Sequence, residues 1–568
     1  MWETLALGVE VIVRRLRIQR FRGIEDLTWD PAPGVNCLVG PADAGKSTVL
    51  AALARLLTPR PPGPPSEYDY FQRDLDAGFE VSAIVGDLSD ELLLKAGGSV
   101  IGWLDGKTTP LPDEGGAEAA LNCRIQATGD FEVAYELLDG NGNASLFSSG
   151  LRRVIRFARI PTEDIAHNEL RLGRGSLLER AIGGEGLRAP VTNALAQASA
   201  DMALPESVAN AVTDLIASFD EGGLPTELSI GAVTPEGGAL LGLLGLLVGE
   251  DVLRAIPLAR AGSGTRRLAL IHLAMRALTE DPILAIDEPE TGLEPYRQRA
   301  LIRSLRDSVA NSGQVFLTTH SATVLDSLGA DEVWRFSQER PPLGFGANKH
   351  LAALLEDSAD AVLARVPILC EGPTEAGVLD PLLDVKATLA GTPLYDRGVF
   401  LSSRGGQPQV LDEAQALLTV DLSFGLFVDN EEEHSGRRAA LEADARCAFG
   451  TWQSVRNIEE AVAKWVPLDQ LDDLVEMAAN NLNKKVDSLR QQVCERAGAP
   501  GKKSVADLAS ETDEETARVG LAVAMQEGNW FKSEPRGRAL GRWLQERGVP
   551  AEIDSVVEAF WKEIEQLL

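Results

Sequence analysis

GVNCLVGPADAGKSTVLAALARLL, residues 34–57, decides the fold of the first half of the chain. Val35 to Val39 reads as a short buried strand, and Ser47 to Leu57 repeats apolar residues at helical spacing. Between them, Gly40-x-x-x-x-Gly45-Lys46-Ser47 is a P-loop in the strand–loop–helix setting such a loop requires. The glycines let backbone N–H groups close around phosphates at a helix N-terminus, where the dipole favours anions. Lys46 is expected to reach the β- and γ-phosphates and the Ser47 hydroxyl to hold Mg²⁺. Asp43 inside the loop and Thr48 after it complete the expected nucleotide-contacting set. ATP with its Mg²⁺ is the expected cofactor.

Composition bounds what surrounds this loop. The 568 residues exceed a single core and predict two to four domains. Apolar content of 44% with 24% charged residues is that of a soluble globular protein. With 85 acidic against 54 basic residues the net charge is −31, which disfavours coating nucleic acid through the overall field. Local basic patches remain open. RRLRIQRFR (14–22) and RGRALGRWLQER (536–547) are candidate phosphate contacts. Five scattered cysteines without a CxxC pair speak against zinc and a disulfide framework and fit a reducing cytoplasm. The N-terminus lacks a targeting pattern, and the apolar run Ala239 to Val248 is half of the roughly 20 residues a membrane helix needs. A cytoplasmic protein with no membrane partner is expected.

A second apolar run, ILAI, ends in Asp287 and Glu288 within DPILAIDEPETGLEP. A strand-end aspartate reaching Mg²⁺, followed by a glutamate able to orient or deprotonate water, is the Walker B arrangement. Upstream, AGSGTRR places Ser263 and Gly264 at the opening of an amphipathic helix; downstream, QVFLTTHS is a strand ending at His320. In this order the pieces resemble the ABC/SMC-type ATPases. RLRIQRFRGIEDLTWDP stands where that family has its opening strands, AGSGTRR where it has the signature loop, PETGLEP the D-loop and TTHS the switch histidine. The resemblance implies a homodimer, or a higher even oligomer, with composite ATP sites built from Gly40, Gly45, Lys46 and Asp287 of one chain and Ser263 and Gly264 of the other. Leu293-Glu294-Pro295 departs from the histidine many relatives carry there, and Gln72 is a candidate Q-loop glutamine. The stretch from Arg171 to about Phe219 reads as helical and is favoured as a dimerisation insertion.

QERPPLGFGANKH (338–350) changes composition and reads as a boundary. Beyond it, VPILC (366–370) is a short apolar strand with Glu371 at its end. Gly372 permits a turn, and Pro373 suits a helix start that brings Glu375 into the first turn. A strand and loop follow at GVFLSSRGGQ (398–407). FGLFV (424–428) is then a strand with Asp429 at its end and Glu431 two residues on. Alternation of strands and helices puts Glu371, Asp429 and Glu431 at one edge of a parallel sheet. Carboxylates converging there repel unless cations neutralise them, and an all-oxygen set suits Mg²⁺ or Mn²⁺. Two such ions can activate water and stabilise a leaving oxygen in phosphodiester cleavage. Glu432, Glu433 and His434 read as a solvated run.

This constellation resembles the TOPRIM domain of topoisomerases, primases and related nucleases. An ABC-type ATPase followed by TOPRIM resembles the OLD family, and within it the class containing the nuclease subunit of Gabija anti-phage systems. RLGRGSLLERAI (171–182) also resembles a segment of that family. The resemblance implies metal-ligand roles for Glu371, Glu375, Asp429 and Glu431, with glutamate replacing the second aspartate, and for a later acid, Glu459 in preference to Glu460. It also implies that Lys532 in NWFKSEP supports charge on the scissile phosphate. The expected architecture is α/β: an ABC-type ATPase over 1–160 and 226–345 interrupted by a helical insertion at 161–225, then a Rossmann-like TOPRIM domain at 360–568 with a helical insertion near 468–525. The expected activity is metal-dependent cleavage of DNA governed by the ATPase dimer, in anti-phage defence and with a UvrD-like helicase as a further partner. An SMC-like DNA clamp with a structural TOPRIM domain is the alternative. A topoisomerase is disfavoured, since none of the five tyrosines lies in a recognisable breakage–reunion module.

Overall fold

The computed structural model describes all residues except 1–10, 42–43, 60–62, 113, 164, 173–175, 183–204, 233–243, 252–253, 278–282, 311–312, 338–339, 431–433 and 500. Asp43 and Glu431, and residues 164, 173–175 and 183–204 of the expected dimerisation insertion, lie outside the described residues. The chain divides into two units, Met1–Gly346 and Ala347–Leu568.

The first unit holds two large sheets. A six-stranded sheet runs in the order Phe157–Ile160, Ile283–Asp287, Gln314–Thr318, Gly34–Val39, Val333–Arg335, Leu343–Gly344. Its first five strands are parallel and the last is antiparallel. Register pairs Asp287 with Thr318 and Thr318 with Leu38, so these strands end at one edge, where the P-loop begins. An antiparallel sheet contains Ile24–Trp29, Ile12–Phe21, Phe79–Gly86 and Glu118–Ala127 in adjacent positions.

Helix Lys46–Leu57 lies between the two sheets. Ten of its twelve residues are buried, including Val49, Leu50, Leu53 and Leu56. A helix apolar around most of its circumference belongs inside a core rather than on a surface. Its side chains share one core with Val13, Leu16 and Val81 of the antiparallel sheet and Ile283, Ala285 and Phe316 of the parallel one.

The arginines of RRLRIQRFR are each paired with acids in the antiparallel region: Arg14 with Asp87 and Glu118, Arg15 with Asp30, Arg17 with Asp26, Arg20 with Asp74 and Arg22 with Asp69. The segment before Gln72 is tied through Asp69 to Arg55, in the last turn of helix Lys46–Leu57.

Within the stretch expected to be an insertion, helix Glu206–Glu221 packs on helix Ser263–Ala277, with Phe219 against the His272 ring.

The second unit is built on a four-stranded, all-parallel sheet, ordered Val399–Ser403, Val366–Cys370, Phe424–Val428, Cys447–Thr451. The first strand in sequence, Val366–Cys370, is central. The chain crosses to one side of it and then returns to the other, so the order reverses between Val366–Cys370 and Phe424–Val428. Such a switch point opens a crevice at the carboxyl ends of the two strands, where ligands of open α/β sheets bind. Helices between Leu471 and Glu527 join the same apolar core, with Leu474, Val475, Leu489 and Leu521 packed together with Ile458 and Val462. Among the described residues no helix is long and apolar enough to cross a membrane.

Candidate functional site

In the first unit, Gly45 caps helix Lys46–Leu57 in the left-handed region, with φ of 101°. Lys46 Nζ lies over the loop, donating to the carbonyls of Gly40 at 3.0 Å and Pro41 at 2.7 Å. Ser47 is exposed at the helix start and Thr48 half-buried beside it. The backbone N–H groups of a helix start and a lysine folded over the loop fit a polyphosphate.

Across the sheet edge, Asp287 is buried and carries two partners. Arg159 donates to Oδ2 at 2.7 Å and Thr318 Oγ1 to Oδ1 at 3.2 Å. Glu288 follows with φ of 47°, its N–H held by the Thr318 carbonyl at 3.0 Å. The first helical turn after Ser263 packs onto the turn after Asp287. A Cβ built on Gly292 would stand 2.7 Å from Ser263 Oγ and 2.9 Å from the Gly264 nitrogen. Arg267, one turn further, donates to the main-chain carbonyls of Pro161 and Asp287. Burial lowers its pKa, against the pull of Asp287. His320 is exposed, and its N–H bonds Glu290 Oε1 at 2.8 Å. Sequence reading missed Arg159 and Arg267, whose partners are set only by the sheet order.

In the second unit, Glu371 and Asp429 leave the two strands that flank the switch point. The Asp429 N–H donates to Glu371 Oε2 at 3.1 Å. Gln407 Nε2 donates to the same oxygen at 3.1 Å and to the Asp429 carbonyl at 3.0 Å. Gln407 went unnoticed in the sequence because a lone glutamine after Gly405-Gly406 reads as a loop residue.

Three further groups gather around this pair. Glu375 sits buried in the first turn of helix Pro373–Leu389. Burial pushes its carboxyl up to about 8, Glu459 and Glu371 add to the rise, and Lys532 opposes it. Burial also raises Glu459, in the first turn of helix Ile458–Trp465, and Lys532 again opposes. The loop before that helix is tied to the Asp429 loop through Asn430 N–H to the Arg456 carbonyl, 2.8 Å. Glu460 faces away to its own backbone, accepting from Arg456 N–H at 2.8 Å. Lys532 is exposed on a turn held by Thr374 Oγ1 to the Phe531 carbonyl at 3.3 Å, and helix Glu534–Arg547 follows it. That helix approaches helix Pro373–Leu389 across glycines: a Cβ on Gly537 would meet the Thr374 carbonyl at 2.6 Å, and one on Gly377 the Arg538 nitrogen at 2.8 Å.

The donor set is oxygen only, and a buried carboxyl raised by burial and by two neighbouring acids suits a hard divalent cation. Among the described residues, however, no three acids, histidines or cysteines stand close enough to ligate one ion. His434, from the expected solvated run, is half-buried before helix Ser435–Glu442, its carbonyl accepting from Arg437 N–H at 3.1 Å.

Two family models match the chain. Residues 15–88 match an AAA domain. Residues 185–326 match the model described as AAA domain, putative AbiEii toxin, Type IV TA system. Over 81 residues the chain is 36% identical to the energy-coupling factor transporter ATP-binding protein EcfA2 of Ureaplasma parvum, a match spanning 14% of this chain and 18% of that protein. Among solved structures, an Smc head bound to the C-winged helix domain of ScpA aligns with TM-score 0.37 at 15% identity, covering 57% of this chain and 94% of that one. The recombination mediator RecF aligns with TM-score 0.34 at 14% identity, covering 59% and 99%.

Proposed function

We propose that the first unit, which matches two AAA domain models, is an ABC-type ATPase dimer, and that it governs a TOPRIM-type second unit acting as a metal-dependent DNA endonuclease. The single observation that carries the nuclease reading is the junction of Glu371 and Asp429 at the switch point, with Glu375, Glu459 and Lys532 within electrostatic reach. Half-buried acids gathered around the buried Glu375 are costly unless cations neutralise them.

In this reading Glu371, Glu375, Asp429, Glu431 and Glu459 hold Mg²⁺ or Mn²⁺. Bound there, two such ions supply an activated water and neutralise charge on the phosphate. Lys532, exposed beside the acids, offsets negative charge on the non-bridging oxygens. In the ATPase, Lys46 and Ser47 hold the β- and γ-phosphates and their Mg²⁺, and Asp287 completes that ion's shell. Glu288 orients water, while Ser263, Gly264 and His320 complete the site of a second copy. ATP then reaches the nuclease by selecting one dimer geometry over another. A role in anti-phage defence beside a UvrD-like helicase belongs to this same reading and rests on the family resemblance.

One observation favours the alternative, an SMC-like clamp ATPase with a structural second unit: the described acids do not form a three-ligand group. One experiment decides between them. Supercoiled DNA is incubated with Mg²⁺ or Mn²⁺, with and without ATP, using wild type, Asp429→Ala and Lys46→Ala. Wild type is expected to nick or cut, Asp429→Ala to leave the DNA intact, and Lys46→Ala to lose nucleotide binding. Equal inertness of wild type and Asp429→Ala across metals and DNA forms returns the protein to the clamp class.

A further inference from the structure

Glu371 has to present a carboxylate at a fixed place beside Asp429, although it stands on a turn between a strand and a helix. Three contacts from one loop brace it. The Gly406 N–H donates to the Glu371 carbonyl at 3.2 Å. Gln407 Nε2 donates to Glu371 Oε2 and, in the same geometry, to the Asp429 carbonyl. The Arg404 N–H donates to the carbonyl of Cys370 at 2.9 Å. The loop itself is held, because Arg404 donates to Glu413 through Nε and Nη2 and to Asp357 through Nη2 at 3.0 Å.

Gln407 is only 2% exposed. Its amide has one orientation consistent with these partners, since both are acceptors and only the NH₂ can serve them. The choice of a neutral donor matters. An arginine or lysine at this position would hold Glu371 by cancelling its charge and would compete with a cation. An amide holds the same oxygen and leaves the charge in place. It also spans the two strands of the switch point, so it fixes the distance between their ends.

We propose that Gln407 is a positioning residue that sets Glu371 against Asp429 for divalent-cation binding, an inference that rests on the nuclease reading above. Loss of an outer partner of a metal ligand typically weakens metal binding on the order of 10–100-fold. Gln407→Met keeps the volume and removes both hydrogen bonds; Gln407→Ala removes the side chain.

The test measures Mn²⁺ binding to the full-length, nucleotide-free protein by electron paramagnetic resonance. Wild type, Asp429→Ala and both Gln407 variants are compared, with a thermal melt of each. Asp429→Ala is expected to lose a Mn²⁺ site present in wild type. Gln407→Met is expected to weaken that site at least about tenfold at an unchanged melting temperature. In DNA cleavage the half-saturating Mn²⁺ concentration should rise by the same factor, while the rate at saturating Mn²⁺ stays near wild type. Wild-type Mn²⁺ affinity in Gln407→Met, beside a loss in Asp429→Ala, overturns the proposal alone. Weakened binding that comes with a lowered melting temperature in both Gln407 variants also counts against it. Equal binding by wild type and Asp429→Ala removes the nuclease reading and this inference together.

Discussion

Arg159 donates to Asp287 at 2.7 Å from the neighbouring strand, placing a cation on the carboxylate expected to serve the Mg²⁺ of ATP. The Asp287 side chain is 2% exposed, so its charge has little water to rely on. Arg159 is 25% exposed, and Thr318 Oγ1 and Arg267 stay beside Asp287, so Arg159→Ala is expected to lower stability in chemical denaturation by less than the roughly 3–5 kcal/mol of a fully buried pair. The double variant Arg159→Ala/Asp287→Asn should recover a large part of the loss. Additive effects in this cycle would mean that the two residues do not act as a pair.

Acid should find the first unit through Asp69. Burial works to raise its pKa, but the Ser66 N–H and the guanidinium groups of Arg22 and Arg55 outweigh burial and hold it below the usual carboxylate range. A depressed folded pKa gives stability that is present above the unfolded value near 4 and is lost as pH falls through the folded value. Asp69→Asn should destabilise at pH 7, since the Arg55 side chain is 6% exposed and would keep a buried, unpaired charge. Between pH 4 and 2 the variant should lose less stability than wild type. Parallel pH–stability curves would show that Asp69 is not ion-paired as described.

Close approach of two helices sets where Lys532 stands. Gly537→Val would drive branched methyl groups into the Thr374 carbonyl and the Gly377 backbone. Overpacking of this kind costs typically 1–3 kcal/mol. The expected outcome is a lower melting transition and a loss of DNA cleavage, with ATP hydrolysis near wild type. Full cleavage by Gly537→Val would show that the spacing of these helices does not matter to the site.

Features that are periodic or contiguous were the legible ones. Strand Gly34–Val39, helix Lys46–Leu57 and strands Val366–Cys370 and Phe424–Val428 fall where apolar runs and turn residues put them. What escaped depends on residues far apart in the chain. Arg159 meets Asp287 across 128 positions, and Gln407 meets Glu371 across 36. The partners of the run RRLRIQRFR escaped for the same reason. A local count of arginines cannot see Asp69, Asp74, Asp87 or Glu118, which fold back onto them. The glycines of the helix contact carry no local signal at all, because what they permit is the approach of another segment.

Sequence alone left Glu459 and Glu460 as neighbours competing for one role, and their surroundings separate them. Glu460 accepts Arg456 N–H at 2.8 Å while its own N–H is capped by Asn457 Oδ1 at 3.0 Å. The second bond satisfies an orphan donor of the first helical turn, and the first holds the residue just before the cap. Glu459 instead has its carboxyl raised by burial and opposed by Lys532. Glu460→Gln should keep most of the cap, because an amide oxygen still accepts, and should leave cleavage near wild type. Glu460→Ala should cost about 1 kcal/mol in stability. Glu459→Gln removes a negative charge where a cation is proposed, and is expected to cut cleavage at least 100-fold without lowering the melting temperature. If Glu460→Gln is the variant that stops cleavage while Glu459→Gln cuts DNA normally, the two roles are reversed and the ligand lies on the capping residue.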